Sequence, residues 1–226
     1  TKTGSPAIIK TRRFGYDGKG QARVSDVMDI DRALDAIHHA PAIVEQLVDF
    51  DCECSVIAAR AIDGSFAAYD PPENVHGDHI LRRSEVPSRL TSAQCDEAKT
   101  IARKIADALD YVGVLAVEFF VTKDGTLLVN EIAPRVHNSG HWTLEACVIS
   151  QFEQHIRAVA GWPLGDPSRH SDAVMTNLIG AEAADWKKLA AAPGALHLYG
   201  KKDIRQGRKM GHVTELRPMS FGTKAP

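Results

Sequence analysis

Residues 118 to 131 read EFFVTKDGTLLVNE, two apolar runs on either side of Asp124-Gly125. An Asp-Gly pair between such runs is a strong signal for a β-hairpin closed by a two-residue turn. With that turn, Glu118 lies directly opposite Glu131 in the antiparallel ladder. Directly opposed residues share one face of a hairpin, with Cβ atoms about 4.5–5.5 Å apart. The pattern therefore predicts a hairpin that carries two facing carboxylates.

The predicted neighbours of this carboxylate pair on the same face are apolar: Ala116, Phe120 and Val129. Two negative charges at this separation repel by roughly 3 kcal/mol at an effective dielectric constant near 20. A bound divalent cation removes the repulsion, and oxygen ligands suit Mg²⁺. We therefore interpret Glu118 and Glu131 as candidate metal ligands. The alternative is a solvated hairpin in which a three-residue loop shifts the register and separates the two glutamates.

Hairpins and helices alternate through the rest of the chain. Asp63-Gly64 marks another hairpin, and Thr91 to Gln94 has the pattern of a capping box at the start of a long helix. A shorter helix is predicted from Ile30 to His39, and strand-like segments dominate after residue 173. The pattern predicts an α+β fold, with helices packed on largely antiparallel sheets.

Composition excludes several classes of protein. The 226 residues carry a net charge of −2 and a pI near 6.5, which argues against a dedicated nucleic-acid binder. No apolar stretch approaches the ~18 residues that a membrane span requires. The four cysteines form no C-x-x-C pair, which favours reduced thiols and a cytoplasmic location. Because the chain starts without Met or the apolar core of a signal peptide, we expect it to be part of a longer protein.

A glycine-rich segment follows the first predicted strand, which spans residues 6 to 10. Gly15, Gly18 and Gly20 would let backbone N–H groups approach phosphate oxygens closely. Lys10 and Lys19 add positive charge next to these glycines. The segment is consistent with phosphate binding, and an ordinary surface turn is the alternative.

A polar segment joins the carboxylate hairpin to the next predicted helix. Arg135 can bind an anionic oxygen in bidentate fashion, and His137, Asn138 and Ser139 offer donors at a helix entrance, where anions are favoured. Helix capping is the alternative reading. A second cationic stretch, residues 201–209, contains five lysines and arginines. It is either a solvated face or a site for a phosphorylated substrate.

Four segments together resemble one family. They are KTRRFGYDGKGQ at 10–21, Glu45-Gln46 followed by Glu53, NEIAPRVHNSGHW at 130–142, and RQGRKMGH at 205–212. In this order they resemble the ATP-grasp enzymes, in the form found in N5-carboxyaminoimidazole ribonucleotide synthases of purine biosynthesis. The resemblance extends over essentially the whole chain.

This resemblance implies an ATP-grasp fold followed by a small C-terminal β-rich domain. It divides the chain into part of the small lid subdomain (1–50), the large subdomain with the metal hairpin (51–165) and the C-terminal subdomain (166–226). The family reaction joins bicarbonate to 5-aminoimidazole ribonucleotide at the expense of ATP, through carboxyphosphate. Family members also carry an N-terminal domain before these segments, so the resemblance assigns activity to a longer parent protein and leaves it in question for this chain alone.

The resemblance also implies residue roles. Mg²⁺ is assigned to Glu118 and Glu131, and catalytic contacts to Lys19, Arg135 and Lys202. The residues assigned to ATP are Lys10, Gly15, Tyr16, Asp17, Gly18, Lys19, Gly20, Gln21, Glu45, Gln46, Leu47, Val48, Glu53, His76, Asn130 and Glu131. The residues assigned to the ribonucleotide are Tyr16, Asp17, Arg135, His137, Asn138, Ser139, Lys202, Arg208 and Lys209.

The implied small-molecule partners are aminoimidazole ribonucleotide and bicarbonate, with ATP and Mg²⁺ as cofactors, and no nucleic acid or membrane. The full-length enzyme is expected to be a homodimer. Two alternatives stay open: another ATP-grasp carboxylase or ligase, and a nucleotide-binding module without turnover. A nucleic-acid-binding domain that uses the cations of 201–209 fits the pI least.

Overall fold

The computed structural model describes residues 4–13 and 19–220. It separates into two compact units. The first consists of Thr1–Asp49 with Gly77–Ile80, and the second of Phe50–His76 with Leu81–Pro226. The tip of the predicted glycine-rich loop, which includes Gly15, Tyr16, Asp17 and Gly18, lies outside the described residues.

The first unit contains a three-stranded antiparallel sheet in the order β2-β1-β3. Its apolar core includes Ile9 and Ala33, from a strand and from the helix. That helix ends three residues earlier than predicted, because His38 and His39 adopt positive φ angles of 55° and 50° that no α-helix continues. The elements are β1 (Ala7–Thr11), β2 (Gln21–Val24), α1 (Ile30–Ala36) and β3 (Ala42–Gln46).

The second unit is built on a nine-stranded sheet in the order β11-β12-β10-β7-β6-β4-β8-β9, with β5 paired to β4. All of its recorded strand pairings are antiparallel, which confirms the predicted α+β class. The strands are β4 (Phe50–Arg60), β5 (Phe66–Ala68), β6 (Glu73–Gly77), β7 (Ile80–Val86), β8 (Gly113–Thr122), β9 (Leu127–Ala133), β10 (Asp172–Ile179), β11 (Ala195–Leu198) and β12 (Lys209–Arg217).

Two apolar clusters cover the two faces of β4 and β8. The alanines of α2 pack on one face, against Leu115 and Val117. Val114 and Ala116 point to the other face, where they pack around the buried Trp142. The predicted capping box of Thr91 and Gln94 is present at the start of α2. The helices are α2 (Ser92–Ala108), α3 (Thr143–Ala146), α4 (Gln151–Val159) and α5 (Trp186–Ala191).

The turn of the β8–β9 hairpin differs from the predicted two-residue turn. The N–H of Thr122 donates to the carbonyl of Thr126 over 3.0 Å, so three residues form the loop. Gly125, the last of them, has φ +84°, the left-handed conformation that closes a three-residue loop. The Asp63-Gly64 hairpin has the same geometry, since the N–H of Ala61 donates to the carbonyl of Ser65.

A β-bulge in β9 compensates for the longer loop. Phe119 pairs with Val129, whereas Glu118 pairs with Glu131, so Asn130 is an extra residue on β9. The predicted opposition of the two glutamates is therefore confirmed, although the turn assumed for it was wrong. The prediction for Val129 was also wrong, because its partner Phe119 belongs to the other face of the hairpin.

Strands β10 to β12 continue the large sheet through the pairing of β10 with β7. The division of the chain at residues 50 and 165 into functional subdomains stays a prediction. Among the described residues, no helix is long and apolar enough to cross a membrane.

Candidate active site

The carboxylate pair lies on the face of β8 that also carries Ala116. The Glu118 side chain is 14% exposed, and Glu131 beside it is exposed. Burial first and the Glu131 charge second raise the pKa of Glu118 to about 7, while His76 and Lys209 act in the opposite direction. A buried carboxylate next to a second one is a position where a cation stabilises the ionised form.

His137 is a potentially cationic partner of Glu118. Its Nε2 lies 3.3 Å from Oε1 of Glu118. His137 precedes a short 3₁₀ turn, Asn138–Gly140, and its Nδ1 accepts the N–H of Ser139 there. The loop that follows β9 therefore folds back over the hairpin and places an imidazole against the candidate metal ligand.

A second carboxylate–imidazole pair lies on the neighbouring strands β4 and β6. Nδ1 of His76 is 2.8 Å from Oε2 of Glu53. Burial disfavours the charged imidazole, but the hydrogen bond and charge of Glu53, together with Glu118, raise the pKa of His76. The structure thus brings Glu53 and His76, both assigned to ATP by resemblance, within electrostatic range of Glu118, the candidate metal ligand.

The cationic stretch reaches this cluster at its last residue. The pKa values of Glu118 and His76 are both raised overall, and the positive charge of Lys209, at the start of β12, acts against each of these increases. Lys202 is exposed in the connection before β12, and the Arg208 guanidinium donates to the carbonyl of Asp203 over 3.1 Å. Lys209 therefore lies close to the carboxylates, and the other two belong to the loop that leads to it.

The polar segment after β9 is held by the interior of the unit. Asn138 and Asn177 of β10 exchange two side-chain hydrogen bonds of 2.9 and 2.6 Å. Ser139 is fully buried and bonded to Ser55, so its hydroxyl faces the protein rather than an open site. Arg135 is exposed and donates to the adjacent carbonyl of Val136. Among Arg135, Asn138 and Ser139, only Arg135 is exposed, and it carries a positive charge.

Sequence reasoning missed Ser55, Asn74, Ser84 and Asn177, four buried polar residues on the strands around the cluster. Their strands also carry charged side chains, such as Glu53 on β4, Glu73 on β6 and Arg83 on β7, so no local sequence pattern singles them out. Their burial, which requires a hydrogen-bond partner, becomes visible only in the folded sheet.

Apart from Asn130 and Glu131 on β9, the remaining described residues assigned to ATP lie in the first unit. Nζ of Lys10 on β1 lies 2.6 Å from Oε2 of Glu45 on β3. Gly20 accepts a hydrogen bond from the N–H of Thr11, and Gln21 begins β2. Gln46 ends β3 and Leu47 follows it, its N–H bonded to the carbonyl of Pro6. Lys19 and Val48 lie just outside these strands.

A metal site made of protein ligands alone is not present: within residues 4–13 and 19–220, no group of three or more His, Cys, Asp or Glu side chains could hold a metal ion. Mg²⁺ bound with nucleotide phosphates needs only one or two carboxylates, because phosphates and waters complete its coordination. Glu118 and Glu131 fit this requirement. A groove of about 720 Å³ between the β4–β5 hairpin and residues 161–167 contains none of the predicted site residues.

The matches to protein families follow the order of the chain. Residues 1–152 match the ATP-grasp domain, and residues 173–219 match the phosphoribosylaminoimidazole carboxylase C-terminal domain. The first match extends over more than half of the chain. The chain therefore belongs to the ATP-grasp family.

Within that family, the chain is similar to N5-carboxyaminoimidazole ribonucleotide synthases. It is 56% identical to the Brucella melitensis enzyme over 96% of its own length, and 46% identical to the Bacillus subtilis enzyme over 92%. The chain spans 61% and 56% of the lengths of these two proteins. The resemblance stated from sequence motifs is confirmed.

Solved structures of carboxyaminoimidazole ribonucleotide synthases also match this chain. The Aspergillus clavatus carboxyaminoimidazole ribonucleotide synthase complexed with ATP matches with a TM-score of 0.90 and 34% identity, over 96% of this chain and 59% of that one. The same organism's enzyme in complex with ADP and 5-aminoimidazole ribonucleotide matches with a TM-score of 0.89 and 32% identity, over 96% and 58%. The predicted ATP-grasp fold with a C-terminal β-rich part is confirmed.

Proposed function

We propose that the protein containing this chain carboxylates 5-aminoimidazole ribonucleotide with bicarbonate and ATP, giving N5-carboxyaminoimidazole ribonucleotide, ADP and phosphate. The observation that carries the proposal is the facing pair Glu118 and Glu131, on which Lys209 and histidine side chains act. The pair lies in a chain that is 56% identical to an N5-carboxyaminoimidazole ribonucleotide synthase. The parent protein is then an ATP-dependent carbon–nitrogen ligase of purine biosynthesis, with ATP and Mg²⁺ as cofactors.

The proposed chemistry has two steps. A bicarbonate oxygen attacks the γ-phosphorus of ATP and releases ADP, giving carboxyphosphate. The amine of the ribonucleotide then attacks the carboxyl carbon, the carbon–oxygen bond to phosphate breaks, and the amine loses a proton. Phosphoryl transfer of this kind depends on charge neutralisation and positioning more than on covalent help from the protein.

The chain's own residues supply that positioning. Glu118 and Glu131 would hold Mg²⁺, which supplies charge neutralisation at the β- and γ-phosphates. Glu53 would accept hydrogen bonds from the ribose hydroxyls, and backbone groups of residues 45–48 would bind adenine. Lys19, Arg135 and Lys202 would stabilise the negative charge of the reacting groups. Except for Ser139, whose hydroxyl faces the protein interior, the remaining residues keep the roles assigned to them above by resemblance. Lys10 and the 15–21 loop would thus contact the phosphates.

The phosphate of the ribonucleotide is assigned to the cationic stretch. Arg208 lies just before β12 and Lys209 begins it, and the charge of Lys209 acts on Glu118. A phosphate held there would place the rest of the ribonucleotide near the carboxylate pair. A homodimer in the cytoplasm is the assembly and location proposed for the full-length enzyme.

ADP release by the full-length parent tests the function. We expect release to require both bicarbonate and aminoimidazole ribonucleotide, and to fall strongly in Glu131→Gln. Release with bicarbonate and a different amine would favour another ATP-grasp ligase. ATP binding without any release under these conditions would favour a nucleotide-binding module.

A further inference from the structure

A chain of buried hydrogen bonds crosses the large sheet and ends at the candidate metal ligand. Oγ of Ser84 donates to Oδ1 of Asn74 over 2.7 Å, and Nδ2 of Asn74 donates to Oγ of Ser55 over 2.9 Å. Ser55 and Ser139 then share a 2.8 Å hydrogen bond between their hydroxyls. Oγ of Ser139 lies 2.8 Å from Nδ1 of His137. Ser84, Ser55 and Ser139 are fully buried and Asn74 is 4% exposed.

At the His137 end, a backbone group indicates the direction of these hydrogen bonds. The N–H of Ser139 can only donate, and it points at Nδ1 of His137 over 3.4 Å. Nδ1 is therefore the acceptor nitrogen, and the ring proton of neutral His137 belongs on Nε2. Nε2 is the nitrogen that lies 3.3 Å from Oε1 of Glu118.

The amide of Asn74 sets the same direction from the other end. Its carbonyl oxygen accepts from Ser84 and its NH₂ group donates to Ser55. Ser55 accepts that hydrogen bond, so its own hydroxyl proton is free to donate to Ser139. Ser139 in turn donates to Nδ1 of His137. Each side-chain donor is then matched with one acceptor, in the order Ser84, Asn74, Ser55, Ser139, His137, Glu118, and Nδ1 of His137 also receives the longer contact from the Ser139 N–H.

We propose that Ser84, Asn74, Ser55 and Ser139 are positioning residues for the metal carboxylate: they hold His137 as the Nε2–H tautomer, which donates to one oxygen of Glu118 and leaves the other for Mg²⁺. Hydrogen bonds behind a metal-binding group commonly orient it, and their loss weakens metal binding or activity. Ser139 is thereby assigned to the support of His137 rather than to contact with substrate. The claim that Glu118 binds Mg²⁺ rests on the proposed function, whereas the claim about the His137 tautomer does not.

The ¹⁵N NMR spectrum of histidine-labelled, metal-free protein reads the tautomer directly. In the wild type, we expect an unprotonated Nδ1 and a protonated Nε2 on His137. Ser55→Ala removes the donor to Ser139, whose hydroxyl can then accept from the ring. The contact from the Ser139 N–H, at 3.4 Å, is too long to hold the tautomer without the hydroxyl, so a mixture of tautomers is expected. Ser84→Ala, at the far end of the chain of bonds, tests the same order if Ser55→Ala does not fold.

Thr214→Val is the matched control. The Thr214 hydroxyl is also fully buried, but it has no hydrogen-bond partner within the described part of the protein. Its removal is expected to leave the His137 tautomer unchanged. A protonated Nδ1 in the wild type overturns the proposal, as does a Ser55→Ala or Ser84→Ala spectrum that matches the wild type.

Activity of the full-length parent supplies the second readout. Ser55→Ala is expected to raise the Mg²⁺ concentration for half-maximal turnover roughly 10- to 100-fold, with little change in the KM for the ribonucleotide. An unchanged Mg²⁺ requirement contradicts the positioning role even if the tautomer is correct. A wild-type parent without bicarbonate-dependent turnover contradicts the proposed function instead, and the NMR result still decides the tautomer.

Discussion

Glu118 of β8 lies directly opposite Glu131 of β9, although the loop that joins these strands has three residues instead of two. The extra loop residue alone would place Asn130 opposite Glu118. The β-bulge at Asn130 moves Glu131 into that position. Two departures from an ideal hairpin therefore cancel at the pair that the proposed reaction needs.

Glu131→Gln in the full-length parent is expected to abolish most turnover, because Mg²⁺ loses one of its two carboxylates. The metal-free protein should be unchanged or more stable by up to ~1 kcal/mol, since two like charges no longer face each other. Turnover and the melting temperature of metal-free protein measure the two effects. Glu97→Gln, at an exposed position of α2, is the control and should change neither. Full Mg²⁺-dependent turnover in Glu131→Gln would contradict the metal assignment.

The free energy of unfolding is expected to fall as the pH is lowered from about 7 to 5. The rings of His141 and His212 lie with centroids 5.0 Å apart and an angle of 39° between their planes. Burial, and then neighbouring histidines, lower the pKa of His141 to about 4 and that of His212 to about 3. At a pH between these folded-state pKa values and about 6.5, the usual pKa of histidine, the two histidines bind protons in the unfolded chain but not in the folded protein. Stability is therefore present above pH 6.5 and lost below it, by roughly 2 kcal/mol per histidine at pH 5.

Denaturant unfolding at several pH values, combined with NMR titration of the ring protons, measures this dependence. The signals of His141 and His212 should not titrate between pH 8 and 5. His38→Asn is the control, because His38 is exposed and asparagine tolerates its positive φ. It should leave the pH dependence of stability unaltered. A midpoint near pH 6.5 for either ring would contradict the prediction, because it would show that the ring takes up a proton in the folded protein.

Arg208→Ala in the full-length parent is expected to raise the KM for the ribonucleotide far more than the KM for ATP. A charge-assisted hydrogen bond to phosphate is worth about 1.5–3 kcal/mol. Arg205→Ala is the control, since Arg205 is exposed and paired with Asp203 at 3.1 Å. If Arg208→Ala affects ATP instead, the cationic stretch belongs to the nucleotide side.

Lys10→Met is expected to weaken ATP binding to the full-length parent, because a phosphate contact is lost. Glu45→Gln should leave binding equal or up to about 5-fold tighter, because the 2.6 Å ion pair with Lys10 competes with phosphate and is partly exposed. The backbone contact proposed for Glu45 survives this substitution. Calorimetric titration with ATP measures both variants. Weaker binding in Glu45→Gln than in Lys10→Met would place the nucleotide contact on the Glu45 side chain.

The sequence by itself determined the features that depend on neighbouring residues and on short motifs. The apolar runs around Asp124-Gly125 located the hairpin, and Thr91 with Gln94 located the start of α2. The spacing of motifs from Lys10 to His212 determined the family. These signals are local, because turn chemistry, capping and strand alternation act over a few residues.

Only the tertiary structure decided the register of the carboxylates and the partners of the buried polar residues. A three-residue loop and a bulge at Asn130 are compatible with the same sequence pattern as a two-residue turn without a bulge. Ser55, Ser139 and Asn74 are far apart in the chain and meet only when the strands and the loop after β9 pack together. Burial then requires each polar group to find a partner, and that partner is set by the assembled sheet rather than by nearby sequence.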